Sequence, residues 1–135
     1  MPVAAQRRQS ARLSILGTLA RVSSRSTCRL THHGRKSGRA YDVTIWFLPD
    51  GNRVYLTTMN MARHWTRNVQ ANPRVTLTIG GERFTGTARL VSDATEMARV
   101  VALLKRKYWL ARPYLWIKKR PAGAFRVDLD GQLDR

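Results

Sequence analysis

Residues 31–41, THHGRKSGRAY, gather two histidines, three cationic side chains, a serine and two glycines between apolar stretches. Three chemistries suit such a stretch: metal ligation, nucleotide binding, or capture of a simpler anion. Metal ligation is disfavoured, because a strand points the neighbours His32 and His33 to opposite faces, and His64 is the only other histidine. A triphosphate loop needs G-x-x-x-x-G-K-[ST]; here Lys36 follows Arg35 instead of glycine, and Arg29 stands five before Gly34. An anion turn does fit. Gly34 and Gly38 let successive N–H groups converge, while Arg35 offers a planar fork, Lys36 a point charge and Ser37 a hydroxyl. A solvated hairpin uses the same residue types, so the turn alone leaves both readings open.

The rest of the chain offers little chemistry of its own. No serine, histidine and carboxylate stand in a convincing order, and the eight carboxylates fall mainly in turns or at a helix start. An enzyme built from these residues relies on a cofactor for the reaction and on the protein for orientation. Tyr41, His33 or solvent then protonates the product.

The elements around the turn read as short strands. Cys28 and Leu30 begin one, and Tyr41, Val43, Ile45 and Phe47 form the apolar face of a second that runs to Leu48. Asp50-Gly51 turns the chain into RVYLTT. In RVTLTIG, Val75, Leu77 and Ile79 oppose Thr76 and Thr78, and Gly80-Gly81 turns it into a strand with Phe84, Gly86, Ala88 and Leu90 inward. AFRVDLDG is the last. About six mostly antiparallel strands at this spacing predict a mainly β (α+β) barrel. Three helices join them: a basic one over residues 5–19, one around Trp65 and Val69 that ends at Asn72-Pro73, and one opened by Asp93 and Glu96. The last carries the stripe Met97, Val100, Val101, Leu104 and Tyr108. Asn68 and Asn72 read as residues that end the middle helix.

At 135 residues the chain is expected to be one domain, with residues 1–24 a basic helical extension. Lys and Arg number 25 against 8 Asp and Glu, a net charge of +17 that seeks an anionic partner. One cysteine, Cys28, excludes an internal disulfide. No apolar run approaches the roughly 20 residues of a membrane-spanning helix. The acid-free first 41 residues have the composition of a transit peptide, but the patterned core already begins at Cys28, which argues against a removable leader.

The segments GRKSGRAYDVTIWFLPDGNRVYLTT and HWTRNVQANPRVTLTIGGERFTGTARLV, followed by KRKYW, resemble the deazaflavin-dependent nitroreductases over residues 28–108. These are split β-barrels of the FMN-binding pyridoxamine-phosphate-oxidase-like superfamily. The resemblance implies binding of coenzyme F420, with FMN the alternative; wider relatives take haem or fatty acids. It places the phosphate end on Arg35, Lys36 and Ser37. It places the ring along Val43, Thr44, Ile45, Thr57 and Thr58, covered by Trp65, Arg67 and Asn68. The chain departs from the family pattern at Thr44, usually proline, and at Thr66, often tyrosine, and its MNMAR loop is short.

The expected function is hydride transfer from reduced F420 or FMN to a quinone, nitro compound or unsaturated ring. The alternatives are a non-catalytic flavin- or haem-binding barrel and, less favoured, a nucleic-acid-binding protein. No helix-turn-helix, zinc-finger or RNA-recognition pattern accompanies the charge, so specific nucleic-acid binding is not expected. Cytoplasmic placement follows from the missing export signal, and related barrels suggest a homodimer. Tyr108, Trp109, Tyr114 and Trp116 beside Lys118, Lys119 and Arg120 suit a phospholipid surface or a substrate mouth.

Overall fold

The computed structural model describes residues 3–108 and 121–134. Along the chain stand α1 (Val3–Val22), β1 (Cys28–His33), β2 (Ala40–Ile45), β3 (Leu48–Asp50), β4 (Arg53–Thr58) and α2 (His64–Ala71). Then follow β5 (Arg74–Ile79), β6 (Glu82–Leu90), α3 (Ala94–Lys107) and β7 (Gly123–Leu133). The strands form one antiparallel sheet in the order β2-β1-β5-β6-β7-β4-β3. Strands β2 and β3 are consecutive in the chain yet lie at opposite edges. Only Trp46 and Phe47 separate them, so the sheet must curl until its edges approach. The result is a split half-barrel.

That seam explains why there are seven strands where six are expected. The run Tyr41–Leu48 does not continue as one strand, because its last residues are needed on the other edge. Phe47 turns inward and is fully buried, whereas Tyr41 is exposed and Val43 and Ile45 are half-buried. The expected apolar face is therefore a core residue at one end and a surface wall at the other. Three groups hold the seam. The Lys107 ammonium donates to the Phe47 carbonyl at 2.9 Å, and the Tyr108 hydroxyl lies 2.7 Å from the Ser26 carbonyl and 3.3 Å from the Phe47 N–H. Trp46 stacks on Tyr108 with ring centroids 4.2 Å apart.

The alternating strands bury their apolar sides as period-2 patterning requires: Leu30, Leu77, Ile79 and Phe84 are sealed, and Ile15, Leu19 and Val22 of α1 close the core. Leu90 is the exception, 47% exposed at the end of β6. The β5–β6 hairpin turns at Gly80-Gly81. In the β3–β4 hairpin Asp50 pairs with Arg53, which shifts the turn one residue on, to Gly51-Asn52. Helix α1 runs longer than the expected 5–19. Helix α3 starts as predicted, with the Asp93 carboxylate accepting from the Glu96 N–H at 2.8 Å. The Glu96 side chain does not return to the cap. It accepts from the Tyr55 hydroxyl at 2.8 Å and from Arg126 at 3.1 Å, which fastens α3 to β4 and β7. Trp109, Tyr114, Trp116, Lys118, Lys119 and Arg120 lie outside the described residues. Among the described residues no helix is long and apolar enough to cross a membrane.

Cys28 is 2% exposed, and burial pushes its thiol from 9.0 up to about 12, against the pull of Lys107. The folded protein should therefore resist iodoacetamide at pH 8 and react fully in denaturant. The unfolded thiol ionises near 9 while the folded one keeps its proton, so the folded state binds more protons above pH 9. Stability should fall through that window, and Cys28→Val should flatten the decline in denaturant melts.

Candidate functional site

The turn after β1 is closed by two backbone bonds, from the Gly34 N–H to the Arg39 carbonyl and from the Gly38 N–H to the Gly34 carbonyl, both 2.9 Å. Gly38 sits at φ +70°, a region in which L side chains are strained. Nothing lies within 4 Å of a Cβ placed there, so Gly38→Ala should cost only the backbone penalty, about 1 kcal/mol in a denaturant titration. Ser37 Oγ accepts from the Arg39 N–H at 3.2 Å, and the Arg35, Lys36 and Ser37 side chains stand at the rim.

Helix α2 carries the turn from below. The Asn72 amide donates to the Gly34 carbonyl at 2.9 Å. Asn68 Oδ1 accepts from the Arg35 N–H at 3.2 Å and from Arg35 Nη1 at 2.7 Å, and Asn68 Nδ2 lies 3.1 Å from His32 Nδ1. Asn72 is the C-cap, as its position suggests, but both asparagine side chains are spent on the turn. Trp65 is buried and tilts against Phe125, ring centroids 5.5 Å apart, so it is core and site wall at once.

Two recesses meet at this helix. The first, about 710 Å³, is lined by Arg35, Lys36, Ser37, Val43, Trp65 and Asn68, and also by His32, Gly34, Tyr41, Asp42, Arg63 and His64. The second, about 550 Å³, is lined by Val43, Thr44, Ile45, Thr57, Thr58 and Trp65, and by Trp46, Met59, Arg63 and Leu104. Val43, Arg63 and Trp65 belong to both. One end is cationic, the other apolar with hydroxyls. Arg67, expected beside Trp65, is exposed and lines neither recess, because the helical turn points it away. The Thr58 hydroxyl is occupied locally, donating to the Asn60 carbonyl at 2.9 Å and accepting from the Asn60 N–H at 3.1 Å.

Seven lining residues have no expected place in a site: His32, Asp42, Arg63 and His64 in the first recess, Trp46, Met59 and Leu104 in the second. His32 is legible in hindsight, since Cys28, Leu30 and His32 share one strand face. Arg63 and His64 open α2, and no spacing rule marks them. His33 is half-buried and absent from the lining of both recesses. Burial, more than any neighbouring charge, holds the His32 imidazole below its ordinary value.

The fold has counterparts among known structures. An F420-H2 dependent reductase, FDR-A, is 23% identical with a TM-score of 0.63, over 76% of this chain and 94% of that one. A Listeria innocua protein provisionally assigned as a pyridoxamine 5′-phosphate oxidase is 16% identical with a TM-score of 0.62, over 90% and 92%. A protein described as a domain-swapped dimer is 25% identical with a TM-score of 0.64, over 94% and 99%. No curated protein matches the sequence. The family model for F420H2-dependent quinone reductases matches residues 3–114. A match that spans the turn, both recesses and the strands around them makes the chain a member of the F420H2-dependent quinone reductase family, an oxidoreductase that uses F420.

Proposed function

We propose that this protein reduces a quinone with reduced F420, and that nitro compounds and unsaturated rings of similar shape are its further acceptors. The observation that carries the reading is the common wall of Val43, Arg63 and Trp65 between a cationic recess and an apolar, hydroxyl-bearing one. A flat ligand with an anionic tail needs that polarity along its length. The donor set fits F420 on chemistry: guanidinium, ammonium and hydroxyl groups for phosphate and glutamyl carboxylates, aliphatic and threonine side chains for a ring. When bound, reduced F420 supplies the hydride.

The protein's part is binding, orientation and exclusion of water. Arg35, Lys36 and Ser37 hold the phosphate end. Val43, Thr44, Ile45, Thr57 and Thr58 flank the ring, and Trp65 closes it from the core side. Asn68 braces the turn, and Arg67, facing solvent, adds long-range attraction for the tail. Tyr41 lines the first recess and is the side chain assigned to protonate the product, with solvent as the alternative source.

The test is fluorescence titration with F420 and, separately, FMN, followed by oxidation of reduced F420 with a benzoquinone and with a nitroaromatic. Turnover with the quinone supports the proposal. F420 binding without turnover favours a non-catalytic binding barrel, and binding of FMN alone moves the reading to a flavin reductase. A homodimer is also proposed; the relative described as a domain-swapped dimer supports it, and light scattering should return twice the chain mass of 15.4 kDa. Arg7, Arg8 and Arg12, exposed on the outer half of α1, support contact with acidic membrane surfaces.

A further inference from the structure

The strand β1 buries one polar side chain, His32, only 4% exposed, beneath the anion turn. Its ring stacks on Tyr41 with centroids 5.9 Å apart, and its Nδ1 lies 3.1 Å from the Asn68 amide nitrogen. The amide's orientation follows from Arg35. Two donors, the Arg35 N–H and Nη1, converge on one amide atom of Asn68, which must therefore be the oxygen. The NH2 group then faces His32, and because it only donates, Nδ1 must accept. The single ring proton is left on Nε2. Nε2 has no hydrogen-bond partner among the described residues, and no unpartnered side-chain nitrogen or oxygen there is sealed from solvent. His32 lines the first recess, so that recess is where Nε2 opens.

We propose that Arg35, acting through Asn68, fixes His32 as the neutral Nε2–H tautomer, and that this N–H donates to an oxygen of the anionic ligand held by the turn. Arg35 and Asn68 are then positioning residues as well as parts of the wall, and His32 is a binding residue. The inference rests on the proposed use of this recess for the anionic end of F420. It adds that the recess contains a donor whose charge does not change with pH. Protonation of Nδ1 would set an N–H against the Asn68 NH2, and flipping the amide would set that NH2 against both Arg35 donors. Either move leaves donors facing donors in a buried place.

The charged and titratable groups around His32 are Asp42 and Tyr41 on β2, His33 on β1, Arg63 and His64 at the start of α2, and Arg35 and Lys36 in the turn. Asp42 alone favours an imidazolium. Burial opposes it more strongly, and His33 and His64 add to the opposition.

Nitrogen-15 NMR of the imidazole in the unliganded protein tests the relay directly. The expected spectrum is that of the Nε2–H tautomer between pH 6 and 8. Asn68→Asp replaces the NH2 with a carboxylate oxygen that accepts an Nδ1–H, so His32 should there titrate near or above its ordinary value. F420 affinity of that variant should tighten toward pH 6 more steeply than that of the wild type, in which His64 is the histidine of the recess left free to respond to pH. His32→Phe, checked for folding by its thermal transition, should bind F420 about tenfold more weakly. An Nδ1–H tautomer or an imidazolium in the wild type overturns the relay, and undiminished affinity in folded His32→Phe overturns the donor. A wild type that binds no F420 overturns the cofactor reading instead, and the spectrum of the unliganded protein still decides the relay.

Discussion

Alanine at both Arg35 and Lys36 should weaken F420 binding by at least about 100-fold in a fluorescence titration. Each side chain offers a charge-assisted hydrogen bond to an anion, worth about 1.5–3 kcal/mol, and Lys36 contributes at the low end because it is exposed. Arg35 adds a second loss. It is half-buried and its Nη1 donates to Asn68 Oδ1 at 2.7 Å, so alanine leaves the amide that braces the turn held by the backbone N–H alone. Arg83→Ala/Arg89→Ala is the control. Both residues are exposed on β6 and line neither recess, yet the net charge falls equally. If binding depends on the turn, the control should lose less than about threefold at physiological salt, where surface charges beyond about 8 Å are screened. Equal losses in the two double variants would reduce the turn to one part of a diffuse positive field.

The second large effect concerns the seam of the barrel. Phe47→Ala should destabilise the fold by about 3–5 kcal/mol, the usual range for a buried phenylalanine, and lower Tm by about 10–15 °C. Phe47 is 0% exposed, and the Lys107 ammonium lies 3.3 Å from its ring centroid while donating to its carbonyl. Burial already draws the Lys107 ammonium down to about 8, so the ring is part of what makes a charge tolerable there. The carbonyl survives the substitution; the packing and the cation–π contact do not. Since Trp46 lines the second recess and stacks on Tyr108 beside this seam, Phe47→Ala should also impair quinone turnover more than F420 binding. A Tm change under 3 °C would mean that the edges of the sheet are held by other contacts.

Local patterning already specified much of this architecture. Period-2 alternation places Val75, Leu77 and Ile79 inside, as observed, because one face of a strand has no other way to leave water. The Asp93 cap is equally local, a side chain meeting an N–H three residues on. That Gly34 to Gly38 form one turn was legible for the same reason, since glycine, serine and basic residues this close together share one loop. Where the reading failed, the deciding partner was distant. The strand expected over Tyr41–Leu48 breaks because Phe47 answers to Lys107 and Tyr108, some sixty residues later, and no property of residues 41–48 records that. Arg67 sits beside two true wall residues in sequence, and only the phase of α2 against the sheet turns it outward.

What the amino-acid sequence by itself determined was the three helices, most of the strands and the gathering of glycine and basic residues in one loop, because propensity, alternation and charge act over a few residues. Tertiary structure alone decided which strand edges meet, that two recesses share Val43, Arg63 and Trp65, and that His32 lies under the turn against the Asn68 amide. Those outcomes depend on hydrogen bonds and burial between segments about twenty or more residues apart, whose geometry exists only once the sheet has curled.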